Sequence, residues 1–145
     1  MSDGRVRWLL DTGLPRTYLN GIDAVHAEDF SRVPGPCGIR EAVALDRALV
    51  TCDQEFLGPW SLSLDHPGIV VMEGHPNDAS EIERNLKHFE FRLRQYSGTV
   101  QLTGNRFVLK ADREAAQVLP DGSVADLAPW RQVRMESVAF AGSGV

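Results

Sequence analysis

Apolar and polar positions alternate in blocks along the first half of the chain, and each apolar block closes on a turn signal. Arg5–Leu10 (RVRWLL) stops at Asp11-Thr12-Gly13-Leu14-Pro15, and Ala24–Ala27 (AVHA) runs into a Pro/Gly-rich stretch, Asp29–Gly38. Ala48–Cys52 (ALVTC) ends on Asp53, and Gly68–Met72 (GIVVM) is the fourth block. Short apolar runs bounded by Gly, Pro or Asp read as buried strands. Between them the pattern allows only brief helices. One spans Pro15–Asn20, opened by a proline suited to a first helical turn and closed by Asn20-Gly21. Arg40–Asp46 gives one or two turns, and Phe56–Leu64, broken by Gly58-Pro59, reads as a loop with one helical turn.

The longest helix is marked by Ile82, Leu86, Phe89 and Leu93, which fall on one helical face. Ser80 with Glu83 three residues on fits a capping box, Glu81 suits the N-terminal dipole, and Tyr96-Ser97-Gly98 ends the helix. Beyond it, Thr99–Leu102 and Phe107–Leu109 flank Thr103-Gly104-Asn105-Arg106 and predict a β-hairpin. Strands alternating with helices predict an α/β domain over residues 1–110, with a mostly parallel sheet and an antiparallel edge. Residues 111–145 form a C-terminal extension with a turn at Leu119-Pro120-Asp121-Gly122, and Trp130–Val138 reads as an edge strand or a partner-binding arm.

Composition narrows the class. With 145 residues, 43% hydrophobic and 24% charged, the chain has the ordinary globular mix and one core's worth of length. A net charge of −5 speaks against coating nucleic acid through overall charge, though a local basic track remains compatible. The charge is uneven: Met1–Glu73 holds 6 basic and 11 acidic residues, Gly74–Val145 9 of each. No apolar run approaches the ~18 residues of a membrane helix, and Met1–Arg7 lacks a signal-peptide layout. Two cysteines, Cys37 and Cys52, are too few for a disulfide framework or a zinc cage. A soluble, reduced, cytoplasmic protein without membrane contact is the expectation.

Asp11 and Asp53 follow predicted strands at their carboxyl ends, the edge where open α/β sheets bind ligands. Crowded carboxylates repel unless one keeps a proton or a cation bridges them, and hard oxygen donors suit Mg²⁺ or Mn²⁺. Such an ion can orient water on a phosphodiester and offset charge in an in-line displacement. Glu55 lies close enough in sequence to join them. The competing reading is that each aspartate caps a turn, its carboxylate bonded to backbone N–H groups. His26, His66, His75 and His88 show no metal-ligand spacing; His66 reads as a loop residue and His26 as a strand position. Cys52 reads as a buried inert thiol, Trp8 and Phe56 as core, and Arg84, Lys87, Arg92 and Arg94 as a solvated helix face. Trp60 and Trp130 are candidate interface anchors.

Three segments in order carry a resemblance: Trp8–Pro15 (WLLDTGLP), Arg47–Phe56 (RALVTCDQEF) and His66–Val71 (HPGIVV). Over roughly residues 5–110 the chain resembles the short bacterial branch of the PIN-like proteins, related to VapC-like toxin ribonucleases. The resemblance implies a PIN-like three-layer sandwich, with helices on both faces and a C-terminal β-hairpin. It also implies divalent-metal-dependent cleavage of RNA, a small antitoxin partner and a homodimer. Asp11 then matches the first pocket acid, Asp53 the later one and Glu55 its companion, with Thr51 supporting the pocket through its hydroxyl. The family's further acid is missing, because Gly35 stands in its place; Glu41 is the substitute ligand, with Asp29 a further candidate. Catalysis is thus expected of Asp11, Asp53 and Glu55, and metal binding of Asp11, Asp53 and Glu41. The alternative is a degenerate PIN-like interaction module that cleaves nothing. A phosphoacceptor signalling domain ranks last, since Asp11 is followed by Thr12-Gly13 and not by a second acid.

Overall fold

A computed structural model describes residues 6–11, 13–15, 21–29, 39–58, 65–73, 78–95, 100–110 and 114–127. Seven strands form one sheet: β1 (Arg7–Leu10), β2 (Asp23–His26), β3 (Ala48–Thr51), β4 (Ile69–Met72), β5 (Arg106–Leu109), β6 (Ala115–Val118) and β7 (Val124–Leu127). Their order is β2-β1-β3-β4-β5-β6-β7. The first five are parallel neighbours, with Leu10 beside His26 and Val50, and Ile69 beside Arg106. The last two are antiparallel additions, Leu109 pairing with Ala115 and Ala115 with Leu127. The chain is thus α/β with a mostly parallel mixed sheet.

Side chains alternate between faces along each strand, so each helix finds its own half of the core. Helix α1 (Ile39–Leu45) lays Ile39 and Ala42 on Leu9, Leu49, Ile69 and Val71. Helix α2 (Ala79–Gln95) lays Ile82, Leu86 and Phe89 on Trp8, Leu10, Val50, Val70 and Phe107. Those three α2 positions are the ones the apolar periodicity marks. Phe89 meets Phe107 edge-on at 5.2 Å between ring centroids, a favoured aromatic geometry. Among the described residues no helix is long and apolar enough to cross a membrane.

Three sequence expectations shift. The α2 cap is Asp78 and not Ser80: Asp78 Oδ1 accepts from the Ser80 amide at 3.0 Å, and the Glu81 and Ile82 amides reach the Asp78 carbonyl. The short carboxylate satisfies donors that would otherwise be orphaned at the helix start. The expected hairpin across residues 103–106 is not one. The turn there delivers the chain into β5 as a parallel neighbour of β4, with Gly104 N donating to the His66 carbonyl at 2.8 Å. The antiparallel partner of β5 is β6, and the tight turn at residues 119–122 leads to β7. The sheet therefore runs past Lys110 to Leu127. Thirdly, Arg92 is buried instead of solvated. The expected helix at 15–20 and the segment 130–138 lie outside the described residues, apart from Pro15.

Candidate functional site

The route from β1 to β2 and then to β3 moves the chain first to one side of β1 and then to the other. Such a reversal, here at the carboxyl ends of β1 and β3, is where open α/β sheets bind ligands. Asp11 stands there, one residue past β1 and only 4% exposed. Its amide extends the ladder to the Val50 carbonyl at 2.9 Å, which fixes the backbone. Thr51, fully buried at the end of β3, donates its hydroxyl to Asp11 Oδ2 at 2.6 Å. Thr51 Oγ1 in turn accepts the Asp53 amide at 3.1 Å. One hydroxyl thus ties the end of β1 to the segment leaving β3.

His26 supports the site from β2. Its Nε2 meets the Leu14 carbonyl at 2.9 Å, and its Nδ1 accepts the Glu28 amide at 3.2 Å. With a donor already at Nδ1, the ring's own proton belongs on Nε2, which assigns the neutral tautomer. Leu14 N in turn donates to the Asp11 carbonyl at 3.0 Å, so the imidazole pins the turn that begins with Asp11. The residue read from the sequence as a plain strand position therefore clamps the candidate site.

Asp53 and Glu55 behave differently. Asp53 is exposed, and its Oδ1 accepts the Glu55 amide at 3.0 Å, capping a 3-10 turn at Gln54–Leu57. This is the capping role weighed against the metal role from sequence. Glu55 is exposed on that turn, and Glu41 sits half-buried in the first turn of α1. Asp29, at the end of a 3-10 turn after β2, is exposed. Among the described residues no three His, Cys, Asp or Glu side chains gather into a group able to hold a metal ion. Asp11, Asp53 and Glu41 are thus not drawn into a three-carboxylate cage; α1 carries Glu41 on a separate element, and Asp53 spends an oxygen on its own turn. Cys52, half-buried beside them, has its thiol pKa pushed up by burial first and by the Asp11 charge second. That keeps it protonated and a poor nucleophile, as its apolar run suggested.

At the opposite, amino edge the structure buries two polar groups, Arg106 and His66, that no sequence pattern marks as buried. Arg106, 2% exposed, donates to the carbonyls of Leu57, Gly58 and Leu119. His66, placed in a loop by its Pro67 neighbour, is buried beside it. Neither has a periodic partner in the sequence that would have signalled burial. A third polar contact lies inside the core, where Trp8 Nε1 donates to the buried Glu90 Oε2 at 2.9 Å.

Comparison with protein-family models, with curated proteins and with solved structures returns no match. The class defined by the fold and the site is an α/β protein with a mostly parallel mixed sheet and a buried, hydroxyl-tethered carboxylate at the carboxyl end of β1. Its donors there are hard oxygens, the chemistry of Mg²⁺ and Mn²⁺. Mg²⁺ commonly keeps several waters and takes only one or two protein carboxylates together with substrate phosphate. Asp11 and the Asp53 turn are joined through the Thr51 hydroxyl, with Asp53 Oδ1 already accepting the Glu55 amide.

Proposed function

We propose that the protein is a divalent-cation-dependent ribonuclease of PIN-like architecture, with Asp11 as the anchoring carboxylate. The observation that carries this reading is the buried Asp11 carboxylate, fixed by Thr51 at the carboxyl-edge switch point. Helices on separate core clusters of one sheet support the three-layer part of the reading. Asp11 and the Asp53 turn would hold Mg²⁺ or Mn²⁺, which supplies charge neutralisation and an activated water at a phosphodiester. Thr51 holds the Asp11 carboxylate in one orientation, and His26 holds the turn beneath it. Glu55, exposed on the 3-10 turn, would take the proton from the water that attacks the phosphodiester. The substrate's own phosphate would complete the ion's coordination, so RNA and cation would bind together. A small antitoxin partner belongs to the same reading.

A second reading, an interaction module without nuclease activity, draws on one observation: the Asp53 oxygen committed to the Glu55 amide. Incubating single-stranded RNA with the full chain, with and without Mn²⁺, separates the two. The ribonuclease reading expects cleavage that needs the cation and falls on the order of 100-fold in Asp11→Asn. Cation-independent cleavage, or equal cleavage by Asp11→Asn, refutes Asp11's role; no cleavage at millimolar Mn²⁺ favours the interaction module.

A further inference from the structure

His66 precedes the corner that leads into β4, and its imidazole is almost wholly buried, 5% exposed, with Nδ1 lacking any hydrogen-bond partner. Buried polar atoms are rarely left so, because the lost hydration is not recovered. The Gly104 amide bonds the His66 carbonyl at 2.8 Å, and two residues on, at the start of β5, stands a permanent cation, Arg106, whose charge acts on the ring. Arg106 clamps three backbone carbonyls: Leu57 and Gly58 at the end of the 3-10 turn, and Leu119 after β6. The turn it holds is the one that Asp53 caps from the other end.

We propose that His66 and Arg106 form an acid-sensitive latch on the 3-10 turn bearing Asp53 and Glu55: a proton taken from water by the buried imidazole drives it away from Arg106 and loosens the guanidinium's hold on Leu57 and Gly58. With the neutral ring's proton on Nε2, the cation adds a donor at Nδ1, where the structure offers no acceptor. It also sets two positive charges together in a place shielded from water.

Among the described residues, the charges acting on the ring are Arg106 from β5 and Asp65 beside it in the chain. The loop at residues 100–105 brings none, and the carbonyls from the 3-10 turn bring only dipoles already directed at Arg106. Burial first and the Arg106 charge second push the His66 pKa below 6.5, against a smaller upward pull from exposed Asp65. The neutral ring is therefore the folded form, and acid works against it. This latch is independent of the ribonuclease reading, since it needs no cation and no RNA.

The test follows the full-length chain by NMR between about pH 8 and about pH 5. It reads the His66 ring titration and the exchange protection of the Gly58 amide, which donates to the Glu55 carbonyl within the turn. A latch gives a His66 midpoint below 6.5 and about a tenfold loss of Gly58 protection on acidification. That loss disappears in His66→Gln, whose amide cannot take up a proton. A His66 midpoint at or above 6.5, or an equal loss of protection in wild type and His66→Gln, overturns the proposal. Should His66→Gln fail to fold, wild-type Gly58 protection that does not fall with the His66 titration overturns it.

Discussion

At the scale of single residues, two side chains act through their partners. Thr51 has one hydroxyl proton, and the structure spends it on Asp11. Thr51→Val keeps the shape and removes both the donor to Asp11 and the acceptor for the Asp53 amide. A residue that orients a ligating carboxylate typically contributes about 10–100-fold to metal affinity or activity. A loss of that size is expected in Mn²⁺-dependent cleavage, with the fold intact by circular dichroism. Unchanged activity would show that Asp11 does not need its tether. Trp8→Phe is its counterpart in the core. It strips the indole donor from the buried Glu90 carboxylate and is expected to cost about 1–3 kcal/mol in urea unfolding. What the sequence disclosed at this scale was uneven. Asp11 and Asp53 were legible because each follows an apolar run, but the run cannot say whether a carboxylate faces inward or folds back on its own turn. His26 and Arg106 were opaque for a related reason: their partners are main-chain groups, which leave no mark in residue identity.

At the scale of elements, helix α2 and the parallel strands were readable because periodicity reports the face an element buries. The pairing of β5 was not, because a Gly/Asn turn looks alike whether it closes a hairpin or feeds a parallel strand. What distinguishes the cases here is Gly68, at a φ of +138°, where the chain turns into β4. An added Cβ there would lie 2.6 Å from Leu102 Cγ and 2.8 Å from the Leu102 carbonyl oxygen. Gly68→Ala therefore meets both an unfavourable backbone angle and a backbone atom that cannot step aside, and its thermal midpoint should drop well below that of wild type. The other load on the elements is apolar. Leu86, fully buried from α2 against the sheet, is expected to cost about 2–5 kcal/mol as Leu86→Ala, read by chemical denaturation. A cost under about 1 kcal/mol would mean that α2 does not close this core.

At the scale of the whole molecule, acid stability and function meet. Hydrogen bonds from the Ser80 amide and then its hydroxyl hold the exposed Asp78 carboxyl below 3.8, and the Ser123 hydroxyl and then its amide do the same for Asp121. For both, the unfolded chain binds protons more readily, so the contribution is present above 3.8 and is lost as pH falls through the lower folded value. His66 has the same sign in a higher window, its loss beginning near 6.5. An acid-unfolding curve in two stages is expected, with the lower stage weakened in Ser80→Ala. The sheet order places a fixed carboxylate at the reversal between β1 and β3, and the account rests on that carboxylate holding an ion. Calorimetric titration of Mn²⁺ into wild type and Asp11→Asn, each with an uncleavable RNA phosphorothioate present, tests it most directly. Uptake of the cation by wild type and its loss in Asp11→Asn is the expected result. Equal uptake by both proteins, or none by either, would contradict it.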